Sequence, residues 1–280
     1  MQQAIRRAAF AGSFYPGTEP DLKQLIMQVY EAEKPRINLT LAGRQLIGGI
    51  VPHAGYVYSA WQAVHFYALL KRRGQHVDTV VIINPNHTGY GSGAFNSSDA
   101  GWWETPLGRL ETDEEFLEAM DIVPDYTAHA REHSGEVQLP LLQYFCPAPF
   151  RLAMITMSRQ TVESANLLAQ KIFQAKEHTG KQVLVVASSD FSHYETPKHG
   201  FEQDQYVIDQ ILSMDVKGIF DAVKEHQVSA CGYGPIMTLV AYAGLVSNHP
   251  EMSLLSRGNS GDIHPSDTVV DYASFVCYES

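Results

Sequence analysis

The sequence predicts an α/β protein built on a mixed sheet of six or more strands with helices on both faces. Apolar runs typical of buried strands alternate with amphipathic runs typical of helices along the whole chain of 280 residues. Three of the apolar runs stop abruptly at polar residues that can bind metal or move protons. No linker, low-complexity tract or internal repeat breaks the alternation, so we expect a single domain spanning residues 1–280.

Helices are predicted where apolar residues recur every three or four positions. The clearest of these patterns cover residues 21–33, 59–72, 162–178 and 235–246. A shorter helix should begin near Thr112, because Thr112 and Glu115 have the spacing of a capping box.

Buried strands are predicted at residues 46–52, 79–85, 151–157 and 182–189, and two more strands at 252–256 and 272–278 close the chain. The first run is followed by His53, the second by His87, and the last of the four by Asp190 and His193. Open α/β sheets bind ligands beyond the carboxyl ends of their strands. We therefore expect these four side chains to lie at one rim of the sheet.

Residues 88–110 form the longest segment without a strong regular pattern, and they contain a glycine-rich stretch and the pair Trp102-Trp103. Long segments that follow a strand end are often functional. A packed surface hairpin is an equally good interpretation.

Composition and charge exclude several classes of protein. The net charge is −11 and the basic residues are scattered, so there is no electrostatic footprint for nucleic acid. No apolar run reaches the roughly 18–20 residues of a membrane span, and the N-terminal apolar stretch is too short for a secretory signal. Three widely spaced cysteines without a Cys-x-x-Cys pattern indicate a reducing compartment. We expect a cytoplasmic protein.

His53 and His87 are candidate metal ligands. Each follows a strand end stiffened by proline, at Pro52 and Pro85, and rigid placement of a neutral imidazole is what a metal site needs. One histidine after a strand is more often a structural or surface residue. Two of them after neighbouring strands make the structural and metal-binding interpretations equally good.

Cys231 is the third candidate ligand. It stands just before the helix predicted from Pro235, and a helix N-terminus should lower the thiol pKa and favour the thiolate that binds metal. An inert buried cysteine is an equally good interpretation, and it is the preferred one for Cys146 and Cys277. Two imidazoles and one thiolate would leave a coordination position open, as in catalytic sites, and would accept zinc, iron or copper.

Two further polar groups are candidates for acid–base chemistry. Asp190 and His193 are three residues apart and would share a face in a helical turn, with His193 as general acid or base and Asp190 as its orienting partner. Glu132, His133 and Glu136 precede another helical pattern. They are either a solvated helix start or a second layer around the metal.

Six motifs in this order resemble the Memo family (mediator of ErbB2-driven cell motility), which is called AmmeMemoRadiSam system protein B in prokaryotes. They are Ala-Gly-Ser-Phe-Tyr at 11–15, Pro-His-Ala-Gly-Tyr-x-Tyr at 52–58, Pro-Asn-His at 85–87, Glu-His-Ser-x-Glu at 132–136, Ser-Ser-Asp-Phe-x-His at 188–193 and Cys-Gly at 231–232. The resemblance runs from about residue 6 to the C-terminus.

The resemblance implies the three-layer α/β/α fold of the class III extradiol dioxygenases, with a mixed, mainly parallel central sheet. Those enzymes hold non-haem Fe(II) with two histidines and a carboxylate. Here His53 and His87 match the two histidines, Cys231 stands in the place of the carboxylate, and His193, accompanied by Asp190, matches the acid–base histidine. The implied cofactor is a divalent metal, Fe(II) first, with copper or zinc as alternatives. A thiolate ligand can retain metal binding and still abolish ring cleavage.

By the same resemblance Phe14 and Tyr58 line a cleft, with His133 and Glu136 beside it. Animal members carry tryptophan at the position of Phe14 and a second histidine at that of Thr88, and their cleft is associated with phosphotyrosine peptides. Prokaryotic members are named for a genomic association with a radical-SAM protein and an AMMECR1-type protein, which implies a functional link to such partners.

Two functions are consistent with these patterns. The first is a mononuclear metal protein with redox or dioxygenase-like chemistry on an unknown small molecule. The second is a non-catalytic binding module that uses the same cleft for a peptide, a partner protein or metal delivery.

Overall fold

The computed structural model of the protein describes residues 4–146 and 149–280. The strands in these residues are β1 (Ile5–Arg6), β2 (Gln45–Val51), β3 (Thr79–Pro85), β4 (Phe95–Ser97), β5 (Trp102–Thr105), β6 (Gly108–Glu111), β7 (Arg151–Met157), β8 (Val183–Ser188), β9 (His193–Glu195), β10 (Pro250–Asn259) and β11 (Val269–Glu279). The helices are α1 (Glu19–Glu33), α2 (Tyr56–Arg73), α3 (Glu114–Met120), α4 (Tyr126–Ala130), α5 (Gln138–Phe145), α6 (Val162–Thr179), α7 (Pro197–Leu212), α8 (Val216–Glu225) and α9 (Tyr233–Val246). No helix in the described residues is long and apolar enough to cross a membrane.

The central sheet is mixed, as predicted, and has the strand order β10-β11-β2-β8-β3-β7-β4, with β9 paired to β11. The four strands β2, β8, β3 and β7 run parallel, while β10 and β11 at one edge and β4 at the other pair antiparallel. Parallel strands need both faces covered, and the central strands are accordingly buried along almost their whole length.

Helices cover both faces of this sheet and complete three layers. Along β3, Val81 and Ile83 point into one apolar core, and Val80 and Ile82 point into the other. Helices α3, α6, α7, α8 and α9 close the first core, and α1, α2 and α5 close the second. The predicted α/β/α arrangement is therefore confirmed.

Several predicted elements differ from the observed ones. The capping box at Thr112 is wrong: Asp113 caps α3, because its carboxylate accepts a hydrogen bond from the backbone N–H of Phe116. Helix α7 is absent from the predicted elements, because its first half buries Gly200 and Asp204 and so lacks an apolar stripe. The segment 88–110 contains the hairpin β5–β6, which joins β1 in a small second sheet, and this matches the packed-hairpin interpretation.

Glycines in β2 allow the helices to pack closely on the sheet. A Cβ atom at Gly48 would overlap the backbone carbonyl oxygen of Val185 in the neighbouring strand, which cannot move without disturbing the ladder. We expect Gly48→Ala to lower the free energy of unfolding by about 3 kcal/mol, at the upper end of overpacking costs. Urea denaturation measures this, with Gly43→Ala as the control because nothing lies within 4 Å of its added Cβ. Equal stability of the two variants would contradict the prediction.

A buried pair of carboxylates lies beside the segment that leads to His193. Asp204 and Asp271 are almost fully buried, and Asp204 accepts hydrogen bonds from the backbone N–H and hydroxyl of Ser192. Burial and the charge of Asp204 raise the pKa of Asp271 to about 7, with a smaller contribution from Asp262, while Arg257 opposes the rise. The folded protein therefore holds a proton on Asp271 at pH values where the unfolded chain has lost it.

This raised pKa predicts that stability falls as the pH rises between about 4 and 7, because the folded state binds more protons than the unfolded state in that window. We expect Asp271→Asn to remove this dependence. Its free energy of unfolding at pH 8 should exceed that of the wild type by about 4 kcal/mol at most. Urea denaturation from pH 5 to pH 8 measures the effect, with Asp267→Asn as an exposed control. Parallel pH profiles for Asp271→Asn and wild type would refute it.

Candidate metal centre

Three neighbouring parallel strands end at the same edge of the sheet and deliver polar side chains there. His53 follows β2, His87 follows β3 and Asp190 follows β8. The rings of His53 and His87 lie 5.2 Å apart between centroids. The Asp190 carboxylate accepts a hydrogen bond of 2.7 Å from the backbone N–H of His53. The structure thus brings these three predicted residues together.

A third imidazole joins the two predicted ones. His133, from the segment that precedes α5, lies with its ring 5.4 Å from that of His53 and 4.7 Å from that of His87. The three histidines each offer a ligand atom, and these atoms all lie within 4.8 Å of one another. We call His53, His87 and His133 the histidine cluster. The sequence pattern indicates His133 as a cleft residue or as part of a second layer around the metal, so its place among the candidate ligands is a finding of the structure.

The Nδ1 atom of His53 is fixed by a hydrogen bond that determines its tautomer. It lies 2.9 Å from the hydroxyl of Ser188, which donates its own hydrogen to the carbonyl of Ser134 and accepts another bond from Gln138. The hydroxyl can therefore only accept from His53, so Nδ1 carries the proton and Nε2 keeps its lone pair. A free Nε2 with an anchored Nδ1 is the usual arrangement of a metal-binding histidine.

Glu132 orients the other two rings. Its carboxylate lies 2.9 Å from His87 Nδ1 and 3.5 Å from His133 Nδ1, and it also accepts hydrogen bonds from Ser134. Burial opposes ionisation of Glu132, but the hydrogen bonds and charge of His87 and the bonds from Ser134 outweigh it and lower the pKa to about 2. The interpretation of this segment as a solvated helix start is wrong, since Glu132 and Glu136 are buried and α5 begins only at Gln138.

Two imidazoles of the cluster, those of His53 and His133, are held in the neutral form that binds metal. Burial, followed by the charges of His133, His87 and His193, lowers the pKa of His53 well below its usual value. Burial likewise lowers the pKa of His133 to about 4, against the charge of Glu132. Neutral imidazole is the commonest metal ligand in proteins.

Cys231 lies against the cluster, but its thiol is not activated in the way the sequence suggested. Its Sγ is 3.1 Å from His53 Nε2, and it accepts a hydrogen bond of 3.2 Å from the backbone N–H of Asp190. Burial and the charge of Asp190 raise the thiol pKa far above its ordinary value. The predicted lowering by the α9 N-terminus is therefore wrong, because desolvation outweighs the helix dipole.

Asp190 and His193 do not share a helical turn, which corrects the predicted geometry. His193 begins β9, and its backbone N–H and Nδ1 contact the hydroxyl and carbonyl of Ser229 at 2.8 and 3.1 Å. Asp190 instead faces His53, with Oδ2 3.9 Å from Nε2, and burial raises its pKa to about 6. Ser229 rather than Asp190 is therefore the residue that orients His193.

The four residues assigned to the cleft occupy three different places. Phe14 packs on His133 with ring centroids 4.6 Å apart, at the edge of the cluster. Tyr58 faces His264 and lines a separate cavity between α1, α2 and β10. Glu136 is fully buried away from the cleft, and it holds the N-terminal segment through the ion pair with Arg6.

A family model described as Memo-like protein matches residues 6–276 of the chain. The chain belongs to the Memo family. Members of this family have the class III extradiol dioxygenase-like fold, so the predicted fold class is confirmed. The motifs at the strand ends, around His53, His87 and Asp190, thus identified both the family and the rim where its polar residues meet.

Curated Memo-family relatives match almost end to end. A MEMO1 family protein of Methanococcoides burtonii is 38% identical over 275 residues, covering 97% of this chain and 99% of the relative. One from Sulfurisphaera tokodaii is 39% identical over 284 residues, covering 96% and 98%. An uncharacterized protein of Escherichia coli K12, JW3007, has a TM-score of 0.48 at 10% identity, covering 83% of this chain and 99% of that one, and adds nothing to the family assignment.

Proposed function

We propose that this Memo-family protein binds one divalent transition-metal ion at the histidine cluster and uses it for redox or dioxygenase-like chemistry on a small organic molecule. The observation that carries the proposal is the approach of three imidazoles whose ligand atoms all lie within 4.8 Å of one another. Imidazoles accept iron, copper and zinc, and we propose Fe(II) first, with copper or zinc as alternatives.

The donor set fits such an ion. His53 and His87 have Nδ1 engaged by Ser188 and Glu132, so each ring presents its Nε2 lone pair, and the Nε2 of His53 faces the Cys231 thiol at 3.1 Å. His133 or Cys231 supplies the third ligand. Either set of three leaves a coordination position open for substrate, as in catalytic sites, whereas all four together would close a tetrahedral site.

When bound, the metal would supply Lewis-acid and redox chemistry at this rim. His193 donates Nδ1–H to the carbonyl of Ser229, so its Nε2 is free to accept or deliver a proton. The Asp190 carboxylate accepts a hydrogen bond from the backbone N–H of His53 and so holds the His53 imidazole in position to bind the metal. Phe14 packs against His133 and shields that side of the cluster from water.

The setting of this activity is also part of the proposal. Cys146, Cys231 and Cys277 are free, which supports a reducing, cytoplasmic compartment. We also propose a functional link to radical-SAM and AMMECR1-type proteins, which the prokaryotic family name implies. The proposed substrate is an unidentified small molecule or peptide.

A second function is favoured by the position of Cys231. Its Sγ approaches the same His53 Nε2 atom that faces the cluster, so it could complete a closed set of four protein ligands. A closed set would make the protein a non-catalytic module that holds a metal, or delivers it, without turnover.

Elemental analysis of untagged protein purified anaerobically tests the proposal. We expect about one metal ion per chain in the wild type and in His178→Ala, an exposed control, and loss of metal in His87→Ala. Comparison of His133→Ala with Cys231→Ser identifies the third ligand. Oxygen consumption with simple catechols above that of free iron supports catalysis, and its absence favours the binding module. A wild type that cannot be loaded with any of the three metals would refute both.

A further inference from the structure

The side chain of Gln160 holds the turn that carries Cys231. Gln160 lies in the connection between β7 and α6. Its Nε2 donates to the backbone carbonyl of Cys231 at 2.8 Å, and its Oε1 accepts from the backbone N–H of Gly234 at 2.6 Å. Because a carbonyl only accepts and an N–H only donates, these two contacts fix the orientation of the amide. Gln160 therefore keeps its donor on Cys231.

Glycines allow this turn to lie close to its neighbours on both sides. A Cβ atom at Gly234 would lie 2.8 Å from Cγ of Gln160, and one at Gly232 would lie 2.2 Å from the carbonyl oxygen of Ser188. The backbone N–H of Gly232 also donates to the hydroxyl of Ser189 at 2.9 Å. The two glycines that follow the cysteine in the sequence thus fit the turn between the end of β8 and Gln160.

The two sets of contacts place this turn next to the end of β3. The backbone N–H of Cys231 donates to the carbonyl of Asp190 at 3.3 Å, and Asp190 follows β8. Gln160, on the other side, follows β7. In the sheet, β3 lies between β8 and β7, and β3 is the strand that leads to His87. The Cys231 turn is therefore anchored on both sides of the strand that delivers His87.

The segment that leads to Gln160 also binds the elbow of His87. The backbone N–H of Asn86 donates to the carbonyl of Met157 at 3.0 Å, and Asn86 Nδ2 donates to the hydroxyl of Ser158 at 2.8 Å. This segment contributes none of the candidate metal ligands. It nevertheless joins the elbow of one candidate ligand to the turn of another, so it fixes their relative position.

We propose that Gln160 is a positioning residue, which holds the Cys231 sulfur where it can bind the metal ion together with His53 and His87. The inference rests on the proposed metal function and deepens it, because it names a residue outside the ligand set on which thiolate binding depends. Cys231 Sγ already lies 3.1 Å from His53 Nε2. Functional groups must be held within about 0.5 Å of their productive geometry, so release of the Cys231 carbonyl would move the sulfur out of reach.

The absorption spectrum of the Co(II)-loaded protein tests the proposal. Co(II) suits the test because sites that bind Fe(II) generally bind Co(II) more tightly, and because a thiolate ligand adds a charge-transfer band in the near ultraviolet. We expect this band in the wild type and its absence in Cys231→Ser. Gln160→Met removes both contacts at similar volume, and Gln160→Glu removes only the donor to Cys231. Both should still bind Co(II), with affinity lowered about tenfold, and should lose most of the band.

The controls separate positioning from folding and from the metal function itself. Gln24→Met, an exposed change on α1, should keep both the band and the affinity. Thermal unfolding confirms that each variant is folded, and band intensity is compared per bound cobalt ion. A full-strength band in either Gln160 variant would overturn the proposal. A cobalt-loaded wild type without the band would also overturn it but would leave the histidine cluster as the metal site. A wild type that binds no cobalt would overturn the proposal together with the metal function.

Discussion

The His53→Ala variant is expected to lose its metal ion almost completely. The His53 ring lies 5.2 Å from that of His87 and 5.4 Å from that of His133, and its Nε2 is 3.1 Å from Cys231 Sγ. Both alternative ligand sets contain it, so no choice of third ligand can compensate for its removal. Loss of a partner outside the coordination shell typically costs 10–100-fold in affinity, and we expect loss of this ligand to cost more than about 100-fold.

A graded series of variants tests this expectation. Ser188→Ala keeps the imidazole but removes the acceptor of its Nδ1–H, so metal affinity should fall about 10–100-fold. His178→Ala removes an exposed histidine on α6 and should change nothing. Competition with a chelator measures all three affinities on untagged protein. Metal retained at wild-type affinity in His53→Ala would show that the histidine cluster is not the metal site.

The strand ends of this site could be predicted because they depend on local sequence. Strands β3 and β7 have the bounds predicted from their uninterrupted apolar runs. Pro52 and Pro85 indicate where the chain leaves the sheet. Neighbouring parallel strands end at the same edge of a sheet, so the residues after each strand meet there. Strand direction therefore places His53 and His87 at the same edge, but the predicted adjacency of their strands is wrong, because β8 lies between β2 and β3.

The third histidine could not be predicted in this way. His133 belongs to no strand. It lies at the rim because the carboxylate of the preceding residue, Glu132, binds the backbone N–H and Nδ1 of His87, which is 45 residues away in sequence. Charged residues before a helix are usually solvated. The pattern of residues 132–136 therefore pointed to a surface, and only the tertiary partners of Glu132 and Glu136 make this segment part of the interior.

The direction of the pKa shift of the Cys231 thiol could not be predicted from the sequence either. A helix N-terminus is visible in the sequence, and it favours the thiolate. Desolvation acts in the opposite direction and comes from remote elements, since the partner His53 is 178 residues away in sequence. The sign of the shift is therefore set by packing. A metal ion at this site would supply the positive charge that a buried thiolate needs.

Glu136→Gln is expected to cost about 3–5 kcal/mol of stability, because it leaves the buried Arg6 guanidinium without its counter-charge. Arg6 is 1% exposed and Glu136 is fully buried. The Glu136 carboxylate also accepts hydrogen bonds from Tyr15 and from the backbone N–H groups of Ala9 and Phe10, at 2.5, 3.1 and 2.9 Å. The glutamine side chain can accept through only one of its two terminal atoms.

The Glu136 carboxylate anchors the segment that packs on the histidine cluster. The rings of Phe10 and Phe14 lie 5.7 and 4.6 Å from that of His133; the Phe10 backbone is bound by Glu136, and Phe14 follows four residues later. We therefore expect Glu136→Gln to loosen the segment as well as to destabilise the fold. Hydrogen exchange measures this: relative to the wild type, the exchange rate in Glu136→Gln should rise more for residues 9–15 than for the strands of the central sheet.

Urea denaturation with matched variants separates the charge from the contacts. Glu104→Gln removes a partner from the surface pairs with Arg7 and Arg109 and should change stability by no more than about 1 kcal/mol. The double variant Arg6→Met with Glu136→Gln removes both buried charges, so it should be more stable than Glu136→Gln alone. If the double variant were the less stable of the two, the loss in the single variant would come from the missing hydrogen bonds to the N-terminal segment rather than from the uncompensated arginine.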